Sequence, residues 1–67
     1  MNKKYRLFDC LDLTVVGYAD ILSECNSLSR KIYIDTDGEC DIVIDRWNGQ
    51  RYEYYCDPEF SDPFADN

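Results

Sequence analysis

The sequence predicts a small α+β fold of order ββαβββ, with one short helix packed on one face of an antiparallel sheet. Three observations predict it: β-branched residues alternating near the N-terminus, one stretch of helical spacing after Ala19, and two glycine-containing turns between alternating runs from Lys31 to Cys56. With 67 residues there is room for one core. A chain this short buries only about 60% of the surface its unfolded form exposes. Hydrophobic residues make up 45% of the chain, enough to form that core despite 31% charged residues. A compact domain is expected over 1–56 and an acidic tail over 57–67.

The elements follow in order. Lys3 to Cys10 mixes aromatic, aliphatic and basic residues and ends at Asp9-Cys10-Leu11-Asp12, a first strand and a turn. Leu13 to Tyr18 contains Thr14, Val15 and Val16, a run suited to a second strand pairing back on the first. Beyond Ala19, Ile21, Leu22, Cys25 and Leu28 recur at helical spacing, with Asp20 as the expected N-cap. A helix of two or three turns is too short to stand alone in water, so it lies against the sheet.

Lys31 to Cys56 then reads as a three-stranded meander with turns at Thr36-Asp37-Gly38 and Trp47-Asn48-Gly49. Register matters here, because a slip of one residue turns a whole strand over. Three-residue loops bring the apolar residues of neighbouring strands to one face: Ile32, Ile34, Cys40, Ile42, Ile44, Tyr52, Tyr54 and Cys56. That face is the expected core, with Cys40 directly opposite Cys56. The other face then receives Tyr33, Asp35, Glu39, Asp41, Val43, Asp45, Arg51, Glu53 and Tyr55, since every acid from Asp35 to Glu59 is odd-numbered. After Cys56 the composition changes to two prolines, two phenylalanines and acids without periodicity, as in a mobile tail.

Several function classes are excluded by composition. Fourteen acids against seven bases give a net charge of −7, which argues against direct binding of nucleic acid or anionic membranes and favours a basic protein surface as partner. Histidine is absent, and with it the residue most used as a general base near neutral pH. The four cysteines, at 10, 25, 40 and 56, lack the close pairing of zinc motifs and have no histidine to activate them, so they read as reduced, buried thiols. Asp35-Thr36-Asp37-Gly38-Glu39 has the alternating acids of a calcium loop, but Ile44 stands where that loop requires a bidentate glutamate. No cofactor or metal is expected, and no enzymatic activity. No apolar run reaches the length of a transmembrane helix and no signal-peptide core follows the basic N-terminus, so a cytoplasmic location is expected.

The acidic face with tyrosines set into it is the candidate partner-binding site: Asp35, Glu39, Asp41, Asp45 and Glu53, with Tyr33 and Tyr55 as anchors. Alternate residues of a strand lie about 6.7 Å apart, so such a face presents carboxylates in rows comparable to the phosphates of a nucleic acid strand. In size, charge and lack of histidine the chain resembles phage or mobile-element inhibitors of host nucleic-acid enzymes, including anti-CRISPR and anti-restriction proteins. That resemblance implies a DNA-mimic inhibitor that occupies a basic channel. The tail carries an alternative: Phe60-Ser61-Asp62-Pro63-Phe64 resembles short motifs that dock clathrin-adaptor appendage domains, which implies a small adaptor or regulatory subunit using Phe60, Asp62 and Phe64. An exposed sheet edge is open to a second copy of the chain.

Overall fold

The computed structural model describes residues 2–65, so the last two residues of the expected tail lie outside it. Its elements are β1 (Tyr5–Asp9), β2 (Thr14–Ala19), α1 (Leu22–Asp35), β3 (Ile42–Trp47) and β4 (Tyr52–Cys56). The four strands form one antiparallel sheet in the order β2-β1-β3-β4. The first hairpin and the beginning of the helix lie where the sequence places them. Among the described residues the order is ββαββ, however, and the segment expected as the third strand is the end of the helix.

Residues Ile32 to Asp35 belong to the last turn of α1. Leu22, Cys25, Ser29 and Ile32 form one stripe at spacings of three and four, and the stripe faces the sheet. Ser29 interrupts that stripe chemically, which hides its continuation; the β-branched Ile32 and Ile34 around Tyr33 then imitate a strand. Thr36-Asp37-Gly38 is therefore a helix C-cap and not a hairpin turn. The Thr36, Asp37 and Gly38 amides donate to the carbonyls of Ile32, Ile34 and Tyr33 at 2.9, 3.1 and 2.8 Å. Asp37 and Gly38 take φ of 56° and 81°, left-handed values that glycine adopts without strain and aspartate tolerates. At the other end Ile21 is the N-cap and no side chain caps the helix. Asp20 instead pairs with Lys3 at 3.0 Å.

The β3–β4 loop has four residues, Asn48 to Arg51, so Trp47 lies in β3 and pairs with Tyr52. Asn48 builds this loop, its Oδ1 accepting from the Gln50 and Arg51 amides at 2.8 and 2.9 Å. The added residue turns Tyr52 and Tyr54 onto the sheet face opposite the helix. An irregularity between Ile44 and Asp45 then restores Cys56 to the helix side, opposite Ile44. Cys40 precedes β3 and is not paired with Cys56; all four thiols are free.

The core between α1 and the sheet consists of Tyr5, Leu7, Ala19, Cys25, Ile42 and Ile44, with Leu22, Ile32, Cys40 and Cys56 packed against it. Ile34 and Tyr54, expected inside, are exposed. The opposite face is organised by Arg6, whose guanidinium donates to Asp45 at 3.0 and 2.8 Å and lies 4.8 Å from the Tyr52 ring. Tyr52 in turn touches Tyr18 and Trp47, at ring separations of 5.7 and 5.1 Å. Asp45 is thereby buried without a helix over it.

Asp9 ties the loops together. Its buried carboxylate accepts the amides of Leu11 at 2.9 Å and of Asp41, thirty-two residues away, at 3.1 Å. Asp9→Ala leaves both amides without that acceptor, and a loss of about 2 kcal/mol is expected in urea unfolding, with Asp9→Asn milder because it keeps the oxygen. Ser29 has the opposite sign: its hydroxyl is buried with no hydrogen-bond partner among the described residues. Ser29→Ala should raise stability by about 1 kcal/mol, read as a higher urea midpoint at constant slope.

Candidate protein-binding surface

The seven residues expected to share one acidic face do not share it. Tyr33 and Asp35 lie on the last turns of α1, and Glu39 and Asp41 lie in the loop before β3. Asp45 points to the helix-free face but is consumed by Arg6. Glu53 pairs with Arg46 across β3–β4 and accepts from Arg51 at 3.3 Å. Tyr55 packs against Tyr5 and under Arg46, 5.9 and 5.3 Å from each. The cause is the missing strand: alternation along 31–41 carries no face information once those residues are helix and loop.

The topology nevertheless gathers acids at one end of the molecule. β1 ends, and β2, β3 and β4 respectively start, start and end, on the same side, because Asp9 pairs with both Thr14 and Ile42 while Ile44 pairs with Cys56. Three connections therefore meet there. The β1–β2 turn brings Asp12, the α1–β3 loop brings Asp35, Asp37, Glu39 and Asp41, and the chain leaving β4 brings Asp57, Glu59 and Asp62; all are exposed. Lysine and arginine are absent from 7–29, 32–45 and 52–67, so none of these connections carries a base. Lys3, Lys4, Arg46 and Arg51 lie toward the other end, where the Trp47 amide meets the Lys4 carbonyl and the Tyr52 hydroxyl meets that of Lys3.

The placement works against stability. A helix C-terminus carries partial negative charge, and cations there are favourable. In α1 the last turn has no base, while Asp35, Asp37 and Glu39 crowd that end. The Cys10 thiol senses the same field: partial desolvation and then the carboxylates of Asp41, Asp45, Asp9 and Asp57 raise its pKa. Burial likewise raises Cys25 and Cys56. These thiols remain protonated at neutral pH, the opposite of an activated nucleophile. Among the described residues no three His, Cys, Asp or Glu side chains converge to hold a metal ion.

The tail packs back on the helix across its described part. The Glu59 amide donates to Asn26 Oδ1 at 3.0 Å, and Phe60 and Phe64 meet the Tyr33 ring at 5.6 and 5.5 Å. Phe60 is half-buried while Phe64 and Asp62 face solvent, Asp62 accepting the Phe64 amide at 2.9 Å. Tyr33 was expected as a binding anchor; here it anchors the tail. The signal for this was in the sequence, since two phenylalanines in a polar tail need an apolar partner.

Comparison with protein-family models, with curated proteins and with solved structures finds no match to this chain. No helix among the described residues is long and apolar enough to cross a membrane.

The field around Cys10 has a measurable consequence. A nearby carboxylate disfavours the thiolate, so Asp41→Asn should move the pH midpoint of Cys10 alkylation by iodoacetamide downward. An unchanged profile would mean that the acids do not act together at this end.

Proposed function

We propose that the protein is a non-catalytic acidic binding protein that inhibits a nucleic-acid-binding enzyme by occupying its basic surface. The observation that carries this reading is the concentration of exposed carboxylates around the C-terminal end of α1, where they disfavour the fold and neither the last helical turn nor the loop after it holds a base, Arg30 and Lys31 lying one turn earlier. Functional sites are where proteins keep features that stability alone would remove. The acids would steer association with a channel lined by lysine and arginine and then fill it, excluding the polyanion by charge and bulk. Of the residues first assigned to this role, Asp35, Glu39 and Asp41 remain, joined by Asp12, Asp37, Asp57 and Glu59. Asp45 is a poor probe, because reversing it strands the Arg6 charge and acts on folding.

The test replaces Asp12, Glu39 and Glu59 by lysine, three exposed acids whose side chains make no hydrogen bond among the described residues. Each reversal adds two positive charges, taking the net charge from −7 to −1. Immobilised wild type is expected to retain nucleic-acid enzymes from a heparin-binding lysate fraction, with retention lost on charge reversal, at high salt, or with added DNA. Retention that ignores all three overturns the proposal. If Phe60→Ala with Phe64→Ala removes binding instead, the tail is the docking element and the protein acts as an adaptor.

A further inference from the structure

We infer that the protein self-associates through β2, two copies joining their edge strands antiparallel into an eight-stranded sheet with the two α1 helices side by side. β2 is an edge strand, and no other strand among the described residues covers its outer backbone groups. Proteins usually blunt such an edge with lysine, proline or an inward charge. Here Leu13 to Ala19 contains no charged residue and no proline, and Leu13 and Tyr18 are 75% and 50% exposed, with Val15 and Val16 also open. The other edge, β4, carries Glu53 and is followed at once by Asp57-Pro58. One edge is guarded and the other is left adhesive.

The helix identifies the occupant as a second copy. α1 lies closest to β1 and β2, with Leu28 directly above Gly17 of the edge strand. A partner strand at the normal spacing of about 4.8 Å beyond β2 places the two-fold axis just outside the edge, on the side of the helix flank that carries Leu28. The second copy's α1 then comes alongside the first on the same side of the joined sheet, flank to flank. A foreign strand would leave that second layer vacant.

The helix flank toward β2 is also self-complementary. It carries Ile21, Glu24, Leu28 and Lys31, with a shallow hollow beside Leu28 lined by Ser23, Glu24 and Ser27. Leu28 Cδ1 lies 3.9 Å from where a Cβ on Gly17 would stand, so the centre of this flank sits above the centre of the edge strand. One two-fold axis near Gly17 thus serves both layers. Antiparallel helices about that axis place Glu24 of each copy against Lys31 of the other, and the small serines allow close approach. The same symmetry sends the two acidic ends to opposite ends of the dimer, so self-association leaves the surface of the proposed function free.

Sedimentation equilibrium tests this. The wild type should show twice the 7.9 kDa chain mass at high micromolar concentration. Val16→Lys should be monomeric with an unchanged far-UV spectrum, because a lysine on the edge opposes pairing. Glu24→Lys and Lys31→Glu should each weaken the dimer about tenfold by setting like charges face to face. An equimolar mixture of the two should recover it, since each variant then meets its opposite. A monomeric wild type overturns the inference, as does a dimer indifferent to Val16→Lys or a variant mixture no tighter than its components. If Val16→Lys fails to fold, the mixture decides. None of these readings depends on a basic partner.

Discussion

One helix must serve a four-stranded sheet, and the rest of the structure follows from that shortage. A helix of 14 residues is about 21 Å long and about 10 Å across, whereas the axes of the outer strands are about 14 Å apart. α1 therefore seals the middle of the sheet, where Leu7 of β1 and Ile44 of β3 are fully buried, and leaves the β4 side to other devices. The tail lies across the helix flank on that side, anchored by Asn26 and Tyr33. Tyr55 leans over Tyr5 at the far end. The core is consequently small, and single groups such as the Ser29 hydroxyl or the Asp9 carboxylate weigh heavily on it.

The face without a helix solves the same problem with polar chemistry. Arg6 pairs with Asp45 directly across β1–β3, and Tyr52 of β4 lies over the guanidinium, with Tyr18 of β2 packed against Tyr52. A guanidinium suits this position because it is planar, weakly hydrated and able to stack while it hydrogen-bonds. The result is a face that needs no covering layer and presents mixed aromatic surface, with its one fully used acid hidden. What the molecule offers as charge is displaced to the loops, and the sheet's antiparallel order brings those loops to a common end.

In the proposed function and the inferred dimer, charge and edge divide the surface between two kinds of contact. The acidic end acts at a distance and weakens with salt. The β2 edge acts only on contact, through backbone hydrogen bonds and apolar side chains. Because β2 lies along the side of the molecule and the acids at its end, the two contacts do not compete for space.

The hairpin, the start of the helix and the strand character of 42–47 and 52–56 were legible in the sequence, because each rests on local alternation or spacing. The acidic balance was legible for the same reason, being a property of composition. The extent of α1 was not: Ser29 occupies an apolar position, and Ile32-Tyr33-Ile34 has the side chains of a strand. Only the packing of Ile32 against the sheet and the left-handed cap at Asp37 and Gly38 decide for helix. Nor did the β3–β4 register follow from the position of Gly49, because Asn48 closes a four-residue loop with its side chain and turns Tyr52 and Tyr54 over. The sequence by itself determined how many acids there are and which short segments alternate, since these are counts and local preferences. Where the acids meet and which strand is left at the edge was decided by the tertiary structure alone, because both depend on pairings between residues far apart in the chain.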